Sequence, residues 1–160
     1  MNKFIHNINE IDFENSLFVG MGNRIKSDDG VGIYISKELE KEKNLNVIIA
    51  ENSIENYLGK INKQNAHRII FIDAVDFGER PGYSNFLQVD ELTDTTTNTH
   101  NLSLHTISRF IHSPLKWIIG IQACDVSFGI GLSQQVKKTA DKIVKFLKNN
   151  SMSNHKTLEL

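Results

Sequence analysis

The sequence predicts a single-domain α/β protein, a three-layer sandwich in which a twisted, mostly parallel sheet of about five strands carries helices on both faces. Short apolar runs without strict alternation recur along the chain, as expected for strands that are buried on both faces. Between them lie segments whose apolar residues repeat at helical spacing. Strands that alternate with helices in this way are typical of a parallel sheet.

The strands are expected at apolar runs, with one segment of more mixed polarity placed nearer an edge of the sheet. In chain order the predicted strands are Leu17–Met21, Val47–Ala50, Ile69–Ile72, the mixed segment Tyr83–Val89, and Trp117–Ile121.

Helices are expected where apolar residues recur every three or four positions. The predicted stripes are Val31, Ile35 and Leu39; Ile54–Ile61; Leu104, Ile107 and Ile111, with Ser103 as cap; and Val136, Ala140, Ile143, Val144 and Leu147, with Ser133 as cap. The predicted domain covers residues 16–149, preceded by an N-terminal extension at 1–15 and followed by a polar C-terminal tail at 150–160.

Composition narrows the functional class. The chain has 160 residues, 39% of them hydrophobic, and a formal net charge of −1. This charge balance argues against capture of nucleic acid or of an anionic membrane surface. A single cysteine, Cys124, excludes an internal disulfide, and residues 1–15 lack the apolar core of a signal peptide. No run is long enough to span a bilayer, so a cytoplasmic protein is expected.

The segment from Phe18 to Gly32 is the most informative part of the chain: an apolar run ends in Gly20-Met21-Gly22, and a short polar loop follows. A dinucleotide fingerprint would need a third glycine at Ile25, and a Walker loop would need a Gly-Lys-Ser/Thr sequence that the chain lacks. Nucleotide binding is therefore a disfavoured alternative.

Polar clusters follow the predicted strands: Asp28-Asp29, Asp73 with Asp76 nearby, and His100 in a threonine-rich segment. Carboxyl ends of parallel strands form the edge at which α/β proteins bind ligands. Two carboxylates and an imidazole suit a borderline divalent ion such as nickel or zinc, with positions left open for water or substrate.

Simpler interpretations of the same residues remain open at this stage. An aspartate at a strand end is commonly a turn or cap residue, and Asp28 and Asp29 also suit the first turn of a helix. His100 in a polar loop suits a solvated side chain. Cys124 is expected to be a small buried residue and not a nucleophile.

The chain resembles the hydrogenase maturation endopeptidases, which remove a C-terminal extension from the large subunit of nickel–iron hydrogenases. The matching segments agree in order and spacing over about residues 17–147: Gly20–Asn23, Asp28–Gly32, Ile72–Gly78, Thr99–Leu104 and Gly120–Gln122. Two departures are the long segment before the first strand and the absence of a proline after Gln122, and both bear on how a substrate docks.

The resemblance implies that Asp29, Asp73 and His100 engage nickel already inserted in the large-subunit precursor, and that Asp28 is a neighbour and not a ligand. It implies an endopeptidase whose partner is that precursor. The precursor then supplies the nickel, and other divalent ions occupy the site in vitro. No cysteine lies beside these positions in the matching segments. The alternative is a non-catalytic nickel-checkpoint or chaperone-like module that binds the same precursor without cutting it.

Overall fold

A computed structural model of the chain describes residues 8–92 and 104–155. Its strands are β1 (Ser16–Met21), β2 (Asn46–Glu51), β3 (Arg68–Ala74), β4 (Ser84–Gln88) and β5 (Leu115–Ile121). Its α-helices are α1 (Val31–Glu40), α2 (Leu58–Lys63), α3 (Leu104–Ser108) and α4 (Gln134–His155), and short 3₁₀ turns lie at Ser27–Gly30, Ile54–Tyr57 and Val89–Glu91.

The sheet has five strands in the order β2-β1-β3-β5-β4. Strands β2, β1, β3 and β5 run parallel, whereas β4 pairs antiparallel with β5 at the edge. This arrangement confirms the predicted mostly parallel α/β fold. The direction of chain progress reverses between β1 and β3, because β1 leads to β2 on one side and β3 leads toward β5 on the other. That reversal opens a crevice at the carboxyl ends of the two strands.

Both faces of the central strands are buried, which explains their uninterrupted apolar sequence. Along β1, Phe18 packs into a core layer that contains residues of α1 and α4. Its neighbours Leu17 and Val19 pack into the opposite layer, which includes Ile54, Ile61 and residues of α3. Successive side chains of a strand point to opposite faces, so each strand feeds both layers.

The segment before β1 adds to the core. Ile8, Ile11 and Phe13 are buried, and the ring centroids of Phe13 and Phe18 lie 6.1 Å apart. The backbone of this segment also touches the sheet, since the amide of Arg68 donates to the Asn15 carbonyl at 3.1 Å. Ile8, Ile11 and Phe13, which lie in the predicted extension, therefore pack on the core of the domain.

The last helix is longer than its sequence pattern suggests. Helix α4 runs through His155 and so includes the first residues of the segment assigned to a polar tail. Ser151 is buried, and its carbonyl accepts a hydrogen bond from Asn44 Nδ2 at 3.2 Å. This contact with the α1–β2 loop gives the polar end of the helix a packing partner, which a periodicity of apolar residues does not reveal.

Helix α3 is shorter than the sequence pattern predicts. Helix α3 ends at Ser108, although Ile111 is buried in the same layer. Its proposed cap, Ser103, lies outside the described residues.

The turn after β1 differs in type from the predicted start of a helix. Asp28 and Asp29 lie in a 3₁₀ turn before α1 and not in the α-helix itself. Ser27 enters that turn with φ +52°, a left-handed conformation that a regular helix start does not use.

Candidate active site

The glycines after β1 allow the turn to pack against the ends of the central strands. Gly22 has φ +124°, and a Cβ placed on it would lie 1.9 Å from the Asp29 carbonyl oxygen. A Cβ on Gly32 would lie 2.1 Å from the Ile72 carbonyl oxygen. Neither position has room for a side chain, so the glycines serve close packing of the turn and of α1. Phosphate binding is not needed to explain them.

Asp29 is buried within the 3₁₀ turn that follows β1. Asp29 is 1% exposed and forms part of the wall of a cleft at the carboxyl edge of the sheet. Its carbonyl accepts a hydrogen bond from the Asn23 amide at 3.1 Å, which closes the glycine-containing loop. The turn that carries Asp29 also packs on β3. The position of Asp29 is thus fixed by the hydrogen bond of its carbonyl and by the packing of its turn on β3.

Asp73 reaches the same place from the neighbouring strand. It lies near the carboxyl end of β3, is 1% exposed, and pairs in register with Gly120 of β5. Its Oδ1 accepts from the Ala74 amide at 2.8 Å. The same oxygen is 3.5 Å from the Cβ position of Gly22, the point that also touches Asp29. The fold therefore brings the backbone of Asp29 and the carboxylate of Asp73 together around Gly22, in the crevice between β1 and β3.

His100, the third residue proposed for the site, lies outside the described residues, and its role stays a prediction. Within residues 8–92 and 104–155, no three His, Cys, Asp or Glu side chains form a group suited to a metal ion. The described part of the site thus contributes two buried carboxylates. Carboxylate oxygens suit a divalent ion of borderline hardness, and two of them leave most coordination positions to other groups.

Asp28 has a different task from its neighbour. It is fully buried, and its Oδ2 accepts from the amides of Cys124 at 2.9 Å and Asp125 at 3.0 Å. Ser133 donates to the same carboxylate twice, through its amide at 2.7 Å and its hydroxyl at 2.8 Å. Charge-assisted bonds of this kind are the strong ones in proteins. Asp28 therefore anchors the β5–α4 loop (residues 122–133) to the turn that holds Asp29.

Gln122 joins the loops that follow β3 and β5. Its Oε1 accepts from the amides of Phe77 at 2.6 Å and Glu79 at 3.3 Å, and its Nε2 donates to Asp76 Oδ1 at 3.3 Å. Its backbone also pairs with Tyr83 and Gly82. A glutamine offers both an acceptor and donors, which this junction requires. Sequence reasoning included Gln122 only as part of a matching segment and did not foresee this role.

The cleft beside these residues has a volume of about 240 Å³. It is lined by Asp29, Ala74, Val75, Asp76, Gln122, Ala123, Cys124 and Val126. The expectation that Cys124 is buried is wrong: it is exposed and lines the cleft. Its backbone amide is bonded to the buried Asp28, so the inward contact of this residue is made by its main chain while its side chain is exposed. Cys124, which lies outside the matching segments, thus lines the same cleft as Asp29.

Comparisons with known proteins decide the family. A model of the hydrogenase maturation protease family matches residues 31–157. The chain belongs to that family. It is 31% identical over 142 residues to a putative hydrogenase maturation protease of Methanocaldococcus jannaschii, covering 82% of this chain and 92% of the relative. The hydrogenase 3 maturation protease of Escherichia coli K12 is 23% identical over 128 residues, covering 77% and 82% of the two chains.

Solved structures of hydrogenase maturation proteases share the fold. The crystal structure of the NiFe hydrogenase maturation protease HycI from Thermococcus kodakarensis has a TM-score of 0.79 at 19% identity, covering 92% of this chain and 99% of that one. The solution structure of the endopeptidase HycI from Escherichia coli has a TM-score of 0.72 at 23% identity, covering 81% and 86%. Across the described part of this family member, no helix has the length and apolar character needed to cross a membrane.

Proposed function

We propose that the protein is an endopeptidase that removes the C-terminal extension of a nickel–iron hydrogenase large-subunit precursor after nickel has been inserted. Membership of the hydrogenase maturation protease family supports the protease activity. The observation that carries the finer proposal is that the backbone of Asp29 and the carboxylate of Asp73 meet around Gly22, at the crevice between β1 and β3. Such a crevice is where α/β sheets place their ligands.

In this proposal the nickel belongs to the precursor, and Asp29, Asp73 and His100 engage it there. Two carboxylates carried by separate segments, one in a 3₁₀ turn and one on a strand, are preformed acceptors for a cation, since burial and backbone contacts fix both residues. A metal ion near a peptide bond polarises its carbonyl or activates water. A precursor without nickel would not complete the arrangement, so assembly of the site would test correct metal loading.

The test is cleavage of purified precursor by enzyme that has first been stripped with a chelator. We expect a loss of mass from the nickel-loaded precursor and none from the nickel-free precursor, measured by mass spectrometry. Equal cleavage rates on the two precursors would contradict nickel dependence and leave an ordinary protease. Tight binding of the nickel-loaded precursor without any loss of mass would favour the alternative, a nickel-checkpoint or chaperone-like module.

A further inference from the structure

Four large apolar side chains lie exposed on the two loops that Asp28 joins. Ile25 is 54%, Val126 40%, Phe128 81% and Ile130 94% exposed. We call these four residues the apolar rim. Single exposed apolar residues are ordinary, but a group of them on adjoining loops marks a surface for interaction. The charged neighbours Arg24, Lys26 and Asp125 provide a polar border, with Lys26 Nζ 5.9 Å from the centre of the Phe128 ring.

The loops that carry the apolar rim are fixed to each other by their backbones. The Ser27 amide donates to the Gly129 carbonyl and the Gly129 amide donates to the Ile25 carbonyl, each at 2.9 Å. The Ser27 hydroxyl donates to the Ser127 carbonyl at 2.9 Å. Below these bonds, Asp28 accepts its four hydrogen bonds from the same loop. A surface held this way loses little conformational entropy when it binds a partner.

The apolar rim is continuous with the cleft, because Val126 belongs to both. The cleft measures about 240 Å³, which is below the roughly 300–1,000 Å³ typical of sites that enclose a small molecule. A polypeptide substrate would place only a short stretch in the cleft. The rest of its contacts would fall on the surface beside it, and on this side that surface is apolar.

We infer that the apolar rim docks the large-subunit precursor through an apolar segment of that protein next to the bond to be cut. The inference rests on the proposed function, since it takes its partner from there. A second copy of this chain is the poorer occupant. Four side chains present far less surface than the roughly 800 Å² per partner that a stable protein interface buries. Exposed aromatic and aliphatic side chains beside a cleft instead suit anchors for a transient protein partner.

The test compares the double variant Phe128→Ser/Ile130→Ser with a matched control, Phe110→Ser/Met152→Ser. Phe110 and Met152 are each 62% exposed and lie outside the two rim loops. Steady-state cleavage of nickel-loaded precursor is measured for the wild type and both variants. We expect KM to rise at least about 10-fold in the rim variant with kcat nearly unchanged, as for the loss of two anchors from an interface. The control variant should keep both constants near their wild-type values.

The outcomes separate this inference from the proposed function. A wild type that cleaves, with a rim variant of equal KM, would overturn the docking role and leave the proposed function intact. A wild type that does not cleave would count against the proposed function, and binding of purified precursor measured by interferometry would then decide the docking. Weaker binding by the rim variant would support docking, and equal binding would overturn it. Self-association of the wild type that the rim variant loses, with precursor binding unchanged, would assign the surface to a second copy.

Discussion

Two clefts of nearly equal size lie at opposite edges of the sheet, with volumes of about 240 Å³ and about 230 Å³. The first, at the carboxyl edge, is lined by Asp29, Asp76 and Gln122 among others. The second lies at the amino ends of β3 and β5, where its lining includes His67 and Ser113. Their volumes alone do not indicate which of the two clefts is the functional one.

The two clefts differ in what their polar groups do. At the amino edge, Asn62 Nδ2 donates to the Phe110 carbonyl at 3.0 Å, and Asn62 Oδ1 accepts from the His112 amide at 3.0 Å. Ser113 donates to the His67 carbonyl at 2.8 Å. These groups tie one loop to another. At the carboxyl edge, Asp29 and Asp73 are buried carboxylates carried by separate segments. The polarity of parallel strands therefore places these two buried carboxylates at the edge where α/β proteins bind ligands, whereas the polar groups named at the amino edge only join loops.

The largest expected effect would come from removing a proposed nickel-engaging group at the carboxyl edge. Mutation of a residue that only supports a metal ligand typically costs about 10–100-fold in activity, and loss of the ligand itself should cost more. We therefore expect Asp29→Asn, Asp73→Asn or His100→Ala to slow processing at least about 100-fold. Their melting temperatures should fall less than that of Ile70→Ala, a core truncation expected to cost about 2–5 kcal/mol. Processing assays and thermal melts of the same preparations would measure both quantities.

The matched control for these variants is Asn62→Ala at the amino edge, which should process the precursor at close to the wild-type rate while losing some stability. A comparable loss of processing in Asn62→Ala would break the distinction between the two edges. Unchanged processing by all three carboxyl-edge variants would remove those residues from the mechanism.

A second, smaller effect would sharpen the contrast between the adjacent aspartates. Asp28→Asn replaces a carboxylate that accepts four hydrogen bonds with an amide whose NH₂ cannot accept. Since buried donors left without acceptors cost about 1–3 kcal/mol each, we expect the free energy of unfolding to fall by about 2–4 kcal/mol. Urea titrations of Asp28→Asn and Asp29→Asn would show it. Ser133→Ala, which removes one of the four bonds, should lose about 1 kcal/mol. Equal stability of the two aspartate variants would contradict the separate roles.

The smallest effect is expected away from both edges, where α1 and α4 meet at the surface. Hydrogen bonds from Lys137 and Tyr34 hold the pKa of Asp141 below its ordinary value, and its side chain is 49% exposed. A lowered pKa in the folded state stabilises the protein above the unfolded pKa, and that stabilisation is lost as the pH falls through the folded value. We therefore expect Asp141→Asn to lower the free energy of unfolding at pH 7 by only about 0.2–1 kcal/mol, because exposed ion pairs contribute little to stability.

The difference between Asp141→Asn and the wild type should disappear at pH values well below the ordinary aspartate pKa of about 3.9. Denaturant titrations at neutral and at strongly acidic pH would measure it. A difference that grew on acidification would contradict the sign of the effect.

The sequence was sufficient to predict the central strands and the edge at which Asp29 and Asp73 lie. A strand buried on both faces must be apolar throughout, so β1, β3 and most of β5 are visible as runs. A carboxylate that ends such an apolar run, as Asp73 does in β3, must lie near the carboxyl end of its strand. These are local consequences of chain direction, and they need no knowledge of distant contacts.

The role of Asp28, the exposure of Cys124 and the helical end of α4 were decided only by the tertiary structure. The partners of Asp28 lie 96 to 105 residues along the chain, so no local pattern distinguishes it from Asp29. The amide of the exposed Cys124 is bonded to that same buried carboxylate, and the end of α4 contacts the α1–β2 loop through the hydrogen bond between Asn44 and Ser151. Sequence periodicity reports which side chains avoid water. It does not report which distant backbone amide a buried carboxylate will meet, because that depends on how loops from separate strands are brought together.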